Sequence, residues 1–117
     1  ENSKAVEVNN ERDSVFNGED LVKYGQMYFP NNLRDNPEVS PNLIEDSSFF
    51  PPTLIQVAKN ELLYHDSDQF YNNLKGAGVD VKLEAEQNLF HGWQLFPDYL
   101  DEAKVSLDNI AKFIQER

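Results

Sequence analysis

Residues 53–57, Thr53-Leu54-Ile55-Gln56-Val57, set the tightest limit on what this chain can fold into. The run is short, rich in β-branched residues and apolar on both faces, as suits a strand of a parallel sheet covered on both sides. Over residues 67–77, Phe70, Leu74 and Ala77 then share one helical face, and Gly78 supplies a C-terminal stop. Next, Val79, Val81, Leu83 and Ala85 alternate with Asp80, Lys82, Glu84 and Glu86. That is the pattern of a half-exposed strand, at an edge rather than the centre of a sheet. A strand–helix–strand unit of this length almost always forms a right-handed parallel crossover. Two parallel strands alone cannot bury both faces of the first, and the rest of the chain offers no good third strand. Something else must complete the sheet. The chain opens on Glu1 rather than a methionine, which agrees with its being part of something longer.

The remaining elements follow from pattern and punctuation. Residues 1–17 are polar and mixed, and are expected to form an extended, poorly ordered lead-in. Leu21, Val22, Tyr24, Gly25 and Tyr28 predict an amphipathic helix over 18–29, stopped by Pro30. Residues 30–52 hold five of the six prolines (Pro30, Pro37, Pro41, Pro51 and Pro52), an irregular stretch long enough to suggest that it shapes a pocket. A last helix is predicted to start near Asp98 as N-cap, with Asp101 and Glu102 in its first turn. Its buried stripe would be Leu100, Ala103, Leu107, Ile110 and Ile114. The expected fold is α/β in a single domain: lead-in 1–17, helix and loop 18–52, and a strand–helix–strand–helix unit 53–117.

Charge and composition narrow the partners. The net charge of −11, from 21 acidic and 10 basic residues, repels phosphate backbones and anionic membrane surfaces, so nucleic acid is not expected as a partner. Hydrophobic residues make up 39%, enough for a modest core and too many for a disordered tail. No apolar run approaches the roughly 20 residues that span a bilayer, and no signal-peptide pattern opens the chain. There is no cysteine, hence no disulfide, thiolate metal site or cysteine nucleophile, and a cytoplasmic setting is the expectation.

In open α/β sheets, functional groups gather beyond the carboxyl ends of the strands. Glu61 stands there after the first strand, in Asn60-Glu61-Leu62-Leu63, and His91 after the second, in Leu89-Phe90-His91-Gly92-Trp93. If the strands are neighbours, both turns leave the same edge and the two side chains can meet despite the 30 residues between them. A carboxylate accepting from one ring nitrogen fixes the histidine tautomer and leaves the other nitrogen as a general base. Taken singly, a glutamate and a histidine are ordinarily a solvated charge and a loop residue; their matched positions weigh against that. Asp66 and Asp68 lie close by and are alternatives for the acid, although Asp66 also suits an N-cap. His65 is expected to face solvent. Two histidines with no H-x-x-x-H or E-x-x-H spacing make no metal site. Phe49, Phe50, Phe90, Trp93 and Phe96 are expected in the core or packing loops, with a few as candidates for a pocket wall.

These motifs resemble the end of the hormone-sensitive-lipase-like branch of the α/β-hydrolases. The similarity rests on Pro51-Pro52 before the buried strand, Glu61-Leu62-Leu63, Ala77-Gly78-Val79 and His91-Gly92-Trp93 at the family's acid-to-histidine spacing. Upstream, Val39-Ser40-Pro41 looks like the family's Ser-Pro, and Asp13-Ser14-Val15-Phe16 like the segment that lines its acyl pocket. The resemblance implies an ester hydrolase whose acid is Glu61 and whose base is His91, acting on a small short-acyl ester with no metal or organic cofactor.

Three departures stand out. The family acid is more often aspartate, though glutamate serves in this fold. Ala58-Lys59-Asn60 replaces the usual glycine before it. And no G-x-S-x-G or His-Gly-Gly occurs: none of Ser3, Ser14, Ser40, Ser47, Ser48, Ser67 and Ser106 has the glycine neighbours of a nucleophile elbow. The serine is therefore expected upstream, in the N-terminal remainder of the domain, which becomes the expected partner. Bare sheet edges also make a homodimer an expectation. The competing class is a non-catalytic α/β interaction module, or a truncated remnant, in which the same residues are structural.

Overall fold

The computed structural model describes residues 8–29 and 35–117. After helix α1 (Gly18–Tyr28) and a 3-10 turn at Pro41–Leu43 come strand β1 (Thr53–Ala58), helix α2 (Tyr64–Gly76), strand β2 (Val81–Glu86), a 3-10 turn at Trp93–Leu95 and helix α3 (Asp101–Gln115). The order is the one expected. The two strands pair in parallel, Thr53 opposite Val81 through Ala58 opposite Glu86. Their carboxyl ends therefore lie side by side, and the turns after them leave together.

Alternation along the strands separates two faces. One carries Ile55, Val57, Leu83 and Ala85; α2 packs across both strands, with Leu74 and Val57 buried. The other face meets α3. There Ala58, Leu89, Trp93 and Ala103 form a buried cluster, with Phe90 and Leu100 packed against it.

Gln56 breaks the doubly apolar character expected of β1. Its amide nitrogen donates to Glu84 Oε2 at 2.9 Å and to the Ser106 carbonyl at 2.9 Å, while its oxygen accepts from Gln94 at 3.0 Å. Glu84 also accepts from Asn109 at 3.2 Å and pairs with Lys82 at 2.7 Å. Burial works to raise the Glu84 pKa, but hydrogen bonds from Lys82, Gln56 and Asn109 outweigh it and hold the group below its ordinary value of 4.5. A depressed folded-state pKa stabilises the fold above the unfolded value, and that contribution is lost as pH falls through the folded one. Glu84→Gln is therefore expected to cost about 1 kcal/mol at neutral pH. It should also flatten the loss of stability between neutrality and about pH 3.5. Urea unfolding of both forms at the two pH values checks this; parallel pH dependences would refute it.

Several boundaries differ from expectation. Helix α2 starts at Tyr64, not Ser67, because the turn after β1 runs straight into it: Tyr64 N–H donates to the Glu61 carbonyl at 3.2 Å and Ser67 N–H to that of Leu63 at 3.0 Å. Asp66 is thus a first-turn residue, not an N-cap; burial raises its pKa, with neighbouring His65 opposing. Helix α3 starts at Asp101, not near Asp98, since the Phe96 carbonyl takes the amides of both Tyr99 and Leu100 in a preceding turn. Its buried face is Ala103 and Ser106, whereas Leu107 and Ile114 of the expected stripe are exposed. Strand β2 begins at Val81 rather than Val79, whose amide instead closes the α2 end onto the Leu74 carbonyl at 3.0 Å. Along α1, Tyr24 and Tyr28 are exposed, and the Pro30 stop lies outside the described residues. No helix among the described residues is long and apolar enough to cross a membrane.

Candidate active site

The turn after β1 is built around its own glutamate. Glu61 N–H donates to the Ala58 carbonyl at 3.2 Å, and Ala58 N–H donates back to Glu61 Oε2 at 2.9 Å. This reciprocal pair folds a side chain that is only 4% exposed over the end of β1. The second oxygen is left pointing across to the next strand's turn.

There it meets His91, whose Nδ1 lies 2.9 Å from Glu61 Oε1. A carboxylate can only accept, so Nδ1 carries the proton and Nε2 of the neutral ring is left with a lone pair. The histidine side chain is 41% exposed, so a buried carboxyl group is bonded to an accessible imidazole. Gly92, directly after it, has φ +76°, a left-handed conformation that costs a residue with a β-carbon about 1–2 kcal/mol. Trp93 is 1% exposed, and its indole N–H donates to Ser106 Oγ at 2.9 Å, pinning the histidine turn to α3.

The two residues singled out from the sequence are brought together, while Asp66 and Asp68 lie along α2 and neither bonds to His91. His65 is half-buried rather than fully solvated. Of the five aromatics, Phe90 and Phe96 meet edge to face at 5.4 Å beside the buried Trp93, whereas Phe49 is 70% exposed. The proline-rich stretch, over its described part, is tied to α2: Asn42 donates to the Asp66 carbonyl at 3.0 Å and accepts from Asn73 at 3.2 Å.

Residues 8–17, expected as a poorly ordered lead-in, instead clamp the acid turn. Asn9, 4% exposed, donates to the carbonyls of Lys59 and Glu61, each at 3.0 Å. Asp13 Oδ2 accepts from Leu62 N–H at 2.8 Å, while its Oδ1 accepts from Val15 and Phe16. Phe16 lies with its ring 5.0 Å from that of His91. Asp13 and the residues after it carry the signature of a local Asx turn, but nothing in the sequence names the turn's distant partner.

Parallel strands with helices on both faces, and an acid and a histidine paired beyond their carboxyl ends, are features of an α/β-hydrolase. The chain belongs to that family: the model of the alpha/beta hydrolase fold matches residues 1–95. It corresponds more particularly to the C-terminal part of an esterase of the hormone-sensitive-lipase-like branch. An esterase of Acinetobacter venetianus is 31% identical over 112 residues, 95% of this chain and 37% of the relative. A carboxylesterase/phospholipase, LipF, of Mycobacterium tuberculosis is 36% identical over 69 residues, 59% of this chain and 18% of the relative. Among solved structures, an esterase of the bacterial hormone-sensitive lipase family superposes with a TM-score of 0.90 at 29% identity, covering 96% of this chain and 37% of that one. The chain thus spans little more than a third of the Acinetobacter esterase and of that solved esterase, and its match to LipF covers less than a fifth of that relative.

Proposed function

We propose that this chain is the C-terminal part of a serine carboxylic ester hydrolase, supplying Glu61 as acid and His91 as base to a serine on the upstream part of the domain. The observation that carries this is the 2.9 Å bond between a buried carboxylate and an accessible imidazole on neighbouring parallel strands. The serine hydroxyl attacks the ester carbonyl as its proton passes to His91 Nε2, and the same nitrogen returns it to the departing alcohol. Water then repeats the sequence on the acyl-enzyme and regenerates the serine. Glu61 holds the ring in the Nδ1–H tautomer throughout and stabilises the imidazolium formed in each step. The substrate class, a small short-acyl ester, rests on the family resemblance.

An upstream partner is supported by what the fold leaves uncovered. Among the described residues, fourteen large apolar side chains are exposed against seven buried hydrophobic ones. Met27, Tyr28, Leu95 and Tyr99 are each at least 79% exposed. Among the described residues the sheet has two strands, too few for a parallel sheet to bury its faces.

Purified alone, the chain is expected to turn over p-nitrophenyl acetate no faster than free imidazole does, and to self-associate through a sheet edge in sedimentation at micromolar concentration. Joining it to the upstream part of its domain should restore turnover, with the acyl group on a serine of that part. Rapid turnover by the lone chain, with acylation of one of its own serines, would overturn the assignment.

A further inference from the structure

We propose that Asn9 and Asp13 are positioning residues of the esterase site: they hold the 59–62 turn so that the Glu61 carboxylate stays in bonding register with His91. The inference rests on the acid and base roles proposed above. Glu61 owes its direction to the backbone that carries it, since one oxygen is fixed to Ala58 N–H and the other must reach across to a second turn. That backbone is a tight turn built from Ala58-Lys59-Asn60 with no glycine, and it leaves two carbonyls and one N–H facing residues 8–17.

The partners match in polarity. The Asn9 amide nitrogen supplies two N–H groups, one to Lys59 O and one to Glu61 O. Asp13, which can only accept, takes Leu62 N–H with one oxygen and ties its own segment with the other. These bonds span 49 to 52 residues of sequence, so they are tertiary clamps and not local turn closure. Asn9 is nine-tenths buried, so water does not readily take its place. The same short segment presents Phe16 to the His91 ring, so one piece of chain touches both members of the pair. A displacement of the acid turn by about 1 Å would lengthen the Glu61–His91 bond.

The test uses the complete hydrolase, this segment joined to the upstream part that carries the serine. Asn9→Asp is isosteric but sets an oxygen against two carbonyls; Asn9→Ala removes the donors without adding charge and guards against a variant that merely fails to fold. Both are expected to lower kcat about 10- to 100-fold. KM should move less than about threefold, because the loss falls on the transition state. Asp13→Asn keeps one acceptor oxygen and should fall between wild type and these. The strongly deshielded Nδ1 proton of His91, bridged to a carboxylate in the wild type, should broaden or vanish from the proton NMR spectrum of the Asn9 variants. Leu74→Val, a core change at the far end of α2, serves as the stability control and should leave kcat and that signal unmoved. If both Asn9 variants keep wild-type kcat, or lose no more than Leu74→Val at equal folded fraction, the positioning role is refuted. His91→Ala separates the two levels: if it leaves turnover intact, the triad assignment fails and this inference with it. If it abolishes turnover while the Asn9 variants remain fully active, only the inference fails.

Discussion

In the complete hydrolase, His91→Ala is expected to lower kcat toward p-nitrophenyl acetate by about 10⁴- to 10⁶-fold, with KM little changed. Glu61→Gln should cost about 10⁴-fold, and its reason is in the hydrogen bonding. The Glu61 carboxylate makes two bonds, and both partners are donors: Ala58 N–H on one oxygen and His91 Nδ1–H on the other. A glutamine has one oxygen for two donors. If that oxygen stays with Ala58, its amide N–H faces Nδ1, which must then accept, and the ring proton moves to Nε2. The base is then in the tautomer that cannot take a proton from serine. The double variant should be no worse than His91→Ala alone, since residues acting as one unit lose their function together. Steady-state kinetics of the three variants decide it. An Asp66→Asn variant that falls as far as Glu61→Gln, or a Glu61→Gln within about tenfold of wild type, would remove Glu61 from the role.

What the sequence made legible, and what it did not, divides along local against distant information. The first strand was readable as a short apolar run, the second by its period-two alternation and the helix between them by its 3.6-residue period, all of them local patterns. Parallel pairing followed from topology, and it was enough to bring Glu61 and His91 to one edge. Helix starts were less legible. Asp66 and Asp98 both look like caps, but a turn already closed by neighbouring backbone overrode each of them. Gln56 was invisible as the centre of a network because its partners, Glu84, Gln94 and Ser106, come from three later segments. The clamp from Asn9 and Asp13 was missed for the same reason. A polar, charged stretch reads as disorder when its bonds are some 50 residues away, and only the folded chain puts them together.

Trp93→Ala is expected to be the most damaging single change to stability, costing about 3–5 kcal/mol. Trp93 is the bulkiest fully buried side chain, packed with Ala58, Leu89 and Ala103. Two of those neighbours are alanines, too small to move in and refill the space, so most of the cavity would remain. Phe90 and Leu100 pack against the same cluster, and it joins the end of β1 to α3 and to the histidine turn. Against the roughly 5–15 kcal/mol that holds a whole domain together, such a loss consumes much of the margin. Trp93→Phe divides the effect. It retains most of the ring but removes the N–H that Ser106 Oγ accepts at 2.9 Å, and Ser106 is itself buried. That variant should cost about 1–3 kcal/mol, the cost of an unsatisfied buried polar group, plus a smaller packing deficit. Urea unfolding followed by far-ultraviolet circular dichroism measures both, at matched protein concentration because association contributes to apparent stability. Circular dichroism is needed since Trp93 is the only tryptophan and its loss silences indole fluorescence. Because Trp93 stands two residues after His91, the same variants in the complete hydrolase should lose kcat before they lose fold. Trp93→Phe that is as stable as wild type would show that the indole bond to Ser106 contributes nothing, and Trp93→Ala costing under about 1 kcal/mol would show that the cluster is not the core of this segment.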